Sequence, residues 1–155
     1  MLSACGERVA DRFSYLRVVK MNDTILIVED DPDIAECLQY SLEHAHLHTQ
    51  IARTGEQGLS ASLHAQHPPA VVLVDLHLPD VDGLEICRRL RADVRTQFIP
   101  IIVLTAYASD AERALGFQSG ADTYISKPYS MREVVATIRV ALSRAHPGDL
   151  DSMPT

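Results

Sequence analysis

Three acidic residues, Glu29, Asp30 and Asp31, stand side by side directly after the apolar run ILIV, and Asp75 closes the run VVLVD. Carboxylates at the ends of buried segments repel one another and are costly to desolvate unless something positive joins them. Two further polar residues mark comparable positions, since Thr105 closes IIVLT and Lys127 follows YIS. An oxygen-only ligand set, with no histidine or cysteine cluster, favours a hard divalent cation: magnesium, with manganese as the alternative, over zinc. Beside such an ion an Asp carboxylate can attack phosphorus and form an acyl phosphate. Lys127 would balance charge on the transferring oxygens, and the Thr105 hydroxyl would donate to one of them. No histidine is placed by pattern as a general base, so hydrolysis of that acyl phosphate is expected to be slow.

Each residue also has a simpler role when taken alone. Asp31 precedes Pro32 and reads as a helix cap without any metal. A strand-end threonine often caps a following turn, and a lone lysine is usually a solvated surface group. What favours a site is the repetition of acid, acid, hydroxyl and ammonium at the ends of separate apolar runs.

Those runs define the elements that must position the side chains. Strands are expected at Thr24 to Val28, His48 to Ala52, Ala70 to Val74, Ile101 to Thr105 and Tyr124 to Ser126. Amphipathic helices are expected at Pro32 to Ala45, Gly55 to Gln66, Gly83 to Ala92, Asp110 to Ser119 and Ser130 to Ala145. Five strand-then-helix repeats give an α/β fold with a parallel sheet covered by helices on both faces. Ile34, Leu38 and Leu42 supply an inward stripe in the first helix; Val134, Ile138, Ala141 and Leu142 do so in the last, which Ser130 and Glu133 open as a capping box. Open parallel sheets carry their sites outside the carboxyl ends of the strands. If the first and third strands are neighbours, Glu29, Asp30 and Asp75 converge there.

The 155 residues, 46% hydrophobic, suit one compact domain, and the net charge of -7 without a basic stripe argues against direct nucleic-acid binding by this chain. No apolar stretch is long enough to span a bilayer and the first 20 residues lack an export pattern, so a cytoplasmic protein without membrane attachment is expected. Cys5, Cys37 and Cys87 follow no metal-ligand spacing; the last two read as helix-core residues. Residues 1–21 form a leader or an added helix, 22–144 the domain, and 145–155 a tail or the start of a severed linker.

The fragments ILIVEDDP, VVLVDLHLPDVDG, PIIVLTA and GADTYISKPY, in this order and spacing, resemble the receiver domain of two-component response regulators. The resemblance covers about Asn22 to Arg144 and implies a doubly wound, flavodoxin-like fold with strand order 2-1-3-4-5. It implies that Asp75 accepts a phosphoryl group from a sensor histidine kinase or histidine phosphotransfer protein. Glu29 and Asp30 would organise magnesium, Asp30 directly and Glu29 through water, with Asp75 and the backbone carbonyl of His77 as further ligands. Lys127 would contact the phosphate, and Thr105 would sense it.

By the same resemblance, Tyr124 is the aromatic switch. Its more buried rotamer, favoured when phosphate draws Thr105 inward, would alter the face made by the fourth helix, fifth strand and fifth helix. The Lys127 to Pro128 bond is expected to be cis. Gly83, Gly120 and Pro79 are read as turn geometry, while His77 and Tyr107 are placed to influence water access to the acyl phosphate.

The final segment is similar to receivers of winged-helix transcriptional regulators, which pair through this face. Thr123 and Thr137 stand where that subgroup carries an acidic and a basic residue, so the dimer is open and its ion-pair lattice does not carry over whole. The signal would pass to a downstream effector domain or protein, the chain being either a standalone receiver or part of a longer regulator. It would promote its own magnesium-dependent phosphorylation, yet act primarily as a signalling switch. Two rivals remain at this point, a nonphosphorylated receiver-like scaffold and a metal-dependent phosphohydrolase. The latter is disfavoured by His77, where a haloacid-dehalogenase-type enzyme often carries an acid. Neither GxGxxG nor GxxxxGK[ST] occurs.

Overall fold

The computed structural model describes residues 23–106 and 109–145. The leader through residue 21, with Cys5, together with Tyr107 and the tail beyond residue 145, lies outside the described residues. Among these, five strands alternate with five helices: β1 Thr24–Val28, α1 Pro32–His44, β2 His48–Ala52, α2 Gly55–Leu63, β3 Val71–Asp75, α3 Gly83–Ala92, β4 Ile101–Thr105, α4 Asp110–Ser119, β5 Thr123–Ser126 and α5 Met131–Ala145. All pairings are parallel, in the order β2-β1-β3-β4-β5.

The sheet is buried on both faces, which is why its central strands read as unbroken apolar runs rather than as alternating ones. Ile25, Ile27, Val71, Leu73, Ile102 and Leu104 face a layer built from Leu38 and Leu42 of α1 and Val134 and Ile138 of α5. The intervening residues Leu26, Val28, Val72, Val74, Ile101 and Val103 face Leu59 of α2 and Ile86, Cys87 and Leu90 of α3. The two-residue strand period thus sorts one sequence run into two cores.

Several boundaries differ from the expected ones. β3 is shifted by one residue: Ala70 donates its N–H to the Thr24 carbonyl but lies outside the ladder, and Asp75 is in it. β5 starts one residue early, with Thr123 opposite Ile102. α1 ends at His44, because Ala45 is already its cap. α2 stops at Leu63 rather than Gln66, where Arg95, from the segment after α3, donates to the carbonyls of Leu63, Ala65 and Gln66 and satisfies chain that no longer continues the helix. α5 begins at Met131, with the Ser130 hydroxyl accepting the Glu133 N–H. Cys87 is buried as expected, but Cys37 is exposed, because it lies off the Leu38 and Leu42 stripe of α1.

Candidate functional site

The strand order makes β1 and β3 direct neighbours with β2 outside them, so the chain reverses its winding direction between them. A crevice opens at such a point beyond the carboxyl ends of the strands. Val28 pairs with Val74, which brings Glu29 and Asp30 level with Asp75. Carboxylate oxygens of Glu29, Asp30 and Asp75 all lie within 4.8 Å of one another. On the other side, Thr105 ends β4 one residue beyond the partner of Asp75, and its carbonyl accepts the Lys127 N–H at 2.7 Å. The Lys127 ammonium stands 3.6 Å from Asp75 Oδ2. The Lys127 to Pro128 peptide is cis, as expected.

Local hydrogen bonds fix these groups. Glu29 donates its backbone N–H to Ala52 and accepts the Asp31 N–H on Oε1, while Asp75 Oδ1 accepts the His77 N–H at 3.1 Å. Asp31 is a cap, as its sequence position suggested, accepting from Asp33 and Ile34 at the start of α1. The His77 side chain is exposed. Thr105 is fully buried, Asp75 nearly so, and Asp30 is exposed.

Glu29 is 1% exposed, and its Oε2 has no hydrogen-bond partner among the described residues. Burial, and then the neighbouring Asp75 charge, push its carboxyl up to about 7 from an ordinary 4.5. Tyr129 is likewise pushed up to about 12, by burial and then by the charges of Glu29 and Asp75. Three ionised carboxylates against one ammonium leave the pocket short of two positive charges, which is the charge of a divalent ion. The unpartnered Oε2 and the all-oxygen donor set fit magnesium, whose usual site combines one or two carboxylates with retained water.

A cleft of about 560 Å³ extends from this pocket, lined among others by Asp30, His77, Leu78, Pro79, Glu112 and Leu115. A separate concavity of about 470 Å³ lies near the amino ends of β4 and β5, where Phe98, Thr123, Thr137 and Val140 meet, and it gathers no acidic cluster among the described residues.

Tyr124 is half-buried against α4. Its hydroxyl donates to the Glu112 carbonyl at 3.3 Å, and its ring meets Phe117 edge-on at 5.4 Å between centroids. Burial holds its phenol above the ordinary range. A Cβ on Gly116 would overlap the Tyr124 hydroxyl and ring. Sequence reading missed that role of Gly116, since nothing local links a helical glycine to a tyrosine eight residues on. It also missed the capping box of Ser109 and Glu112 that opens α4, although S-x-x-E was there to be read.

The profile of the response regulator receiver domain family matches residues 25–139. The DNA-binding dual master transcriptional regulator RpaA of Synechocystis sp. is 41% identical over 120 residues, which is 77% of this chain and 49% of RpaA. The chain therefore spans about half the length of the curated relatives it matches. Among solved structures, the CheY-like response regulator receiver domain protein of Methanospirillum hungatei superposes with a TM-score of 0.74 at 29% identity, covering 81% of this chain and 98% of that one. The receiver domain of a sensor histidine kinase from Pseudomonas aeruginosa, with a magnesium ion coordinated in its active-site cleft, gives 0.71 at 26% identity, covering 79% and 98%.

Proposed function

Since the chain belongs to the response regulator receiver domain family, the phosphoacceptor module of two-component systems, we propose that Asp75 takes the phosphoryl group from a phosphohistidine of a sensor histidine kinase or histidine phosphotransfer protein. A carboxylate oxygen of Asp75 forms the new bond to phosphorus while the phosphorus to imidazole nitrogen bond breaks, and the imidazole leaves with the electron pair. The His77 N–H on Oδ1 holds the carboxylate rotamer, and Lys127 moves from Oδ2 onto a phosphoryl oxygen as charge transfers there. Asp30, Asp75 and the His77 carbonyl would hold magnesium, or manganese in its place, with Glu29 acting through water. The ion, when bound, neutralises the acidic pocket and charge on the phosphoryl oxygens.

The observation that carries this reading is the meeting of three carboxylates from two strand ends with Lys127 from a third. Thr105 senses the phosphate, and Tyr124 couples it to the face of α4, β5 and α5. The receiver unit is taken as residues 22–144, flanked by a leader through 21 and a tail or linker from 145, in a cytoplasmic protein. Among the described residues no helix is long and apolar enough to cross a membrane. The output partner is a downstream effector domain or protein. A homodimer through the same face is compatible with exposed Leu115, Phe117 and Val140. Incubation with acetyl phosphate should add one phosphoryl group by intact mass. Omitting the divalent ion or substituting Asp75→Asn should abolish it, and labelling that survives both rejects the reading.

A further inference from the structure

The loop that follows Asp75 carries the His77 carbonyl, and its two ends are anchored in β3 and α3. Leu76 still donates to the Leu104 carbonyl, and Gly83 opens α3, with Asp82 accepting the Leu84 N–H and the Gly83 N–H returning to the Leu76 carbonyl. Between these ends the loop leans on α2 rather than on its own helix. Asp80 Oδ1 accepts the Gly55 N–H at 2.8 Å and Oδ2 accepts the Glu56 N–H at 3.0 Å, so one carboxylate spans the first two free amides of α2. These two donors, Glu56 first, hold the Asp80 carboxyl below its ordinary range. The contact is close because residue 55 is glycine. A Cβ there would stand 2.7 Å from Val81 Cβ and 3.2 Å from Asp80 Oδ1.

We propose that Asp80 is a positioning residue for the metal site: its two-amide clamp on α2 fixes the path of residues 77–81 and thereby holds the His77 carbonyl toward the ion. This rests on the metal set proposed above. A backbone ligand has no side chain of its own to orient it, so its direction is set by whatever anchors the neighbouring chain. Partners of this outer kind typically govern metal affinity by tenfold or more. Asp80 reaches α2 from 24 residues away, which makes α2 part of the support of a site it does not touch.

The rival role for Asp80 is simple capping of α2, and Thr54 supplies the control. Thr54 is the N-cap of the same helix, its hydroxyl accepting the Gln57 N–H, but it bonds nothing in the loop. Magnesium titration by calorimetry on the full chain is therefore compared with thermal unfolding for wild type and four variants. Asp80→Ala should raise the magnesium Kd by about tenfold, and Gly55→Ala, which pushes the loop off α2, should act in the same direction. Thr54→Ala should lower the Tm while leaving the Kd within about twofold of wild type. Asp80→Asn, which keeps the shape and one acceptor, should fall between wild type and Asp80→Ala. An unchanged Kd in folded Asp80→Ala or Asp80→Asn, or an equal weakening in Thr54→Ala, overturns the positioning role while the metal reading stands. Absence of saturable magnesium binding by the wild-type chain overturns both.

Discussion

Gly116→Ala is a one-methyl substitution expected to separate the proposed phosphorylation of Asp75 from the proposed response of Tyr124. The added methyl would occupy space held by the Tyr124 hydroxyl and ring. Tyr124 cannot retreat as a backbone unit, since it is paired with Val103 in the sheet, so the ring must turn outward. Turning out forfeits the bond to the Glu112 carbonyl, about 1 kcal/mol, and the edge contact with Phe117, about 0.5 to 1.5 kcal/mol. Alanine recovers about 1 kcal/mol of helix propensity in either rotamer. The net stability loss is then about 1 kcal/mol, roughly 4 °C in Tm for a domain of this size. These two contacts favour the inward ring in the wild type by about 2 kcal/mol, or roughly 30-fold, and the added methyl abolishes that preference by occupying the inward position. The assay is side-chain NMR of Tyr124 with and without beryllofluoride and magnesium, alongside intact mass after acetyl phosphate. The variant should accept phosphate at the wild-type rate while Tyr124 stays outward in both states. A beryllofluoride response of Tyr124 equal to that of wild type would show that Gly116 does not make the room for its inward ring.

Two other perturbations probe the pocket itself. Lys127→Ala removes a partly exposed ion pair, so stability should move by about 1 kcal/mol or less while the conformational response to beryllofluoride is lost; an undiminished NMR response counts against its role. Glu29 gives a pH signature in metal-free protein. Its folded carboxyl titrates at about 7 against 4.5 when unfolded, so between these values the folded state binds more protons. Stability without metal therefore falls as pH rises from about 4.5 to about 7 and levels off above, by on the order of 3 kcal/mol from this group. The stability difference between wild type and Glu29→Gln, followed by urea unfolding in chelator, should track that fall, and a pH-independent difference contradicts it. Magnesium affinity should run the opposite way, weakening as pH drops below about 7, because the ion needs the deprotonated carboxylate.

The parts legible in sequence were those whose physics is local or periodic. ILIV, VVLV and IIVLT announce doubly buried strands, because a sheet covered on both faces has no polar side to interrupt them. Asp31 declared itself a cap by standing before Pro32. Glu29, Asp30, Asp75, Thr105 and Lys127 could be nominated because the carboxyl edge of a parallel sheet collects strand ends from distant sequence. What stayed hidden depends on contacts across long separations. The end of α2 is met by Arg95, its start by Asp80, and the room for Tyr124 comes from Gly116. Cys37 was misjudged because an apolar residue beside a helical stripe reads much like one within it.

Peptide mapping after phosphotransfer identifies the acceptor residue. The full chain is phosphorylated with acetyl phosphate and magnesium, digested, and the site of the acyl phosphate located by mass spectrometry. One modified residue is expected, Asp75, with none in the peptide carrying Glu29 to Asp31. Phosphate on Asp30 or Asp31, or an Asp75→Asn chain labelled as fully as wild type, would contradict it.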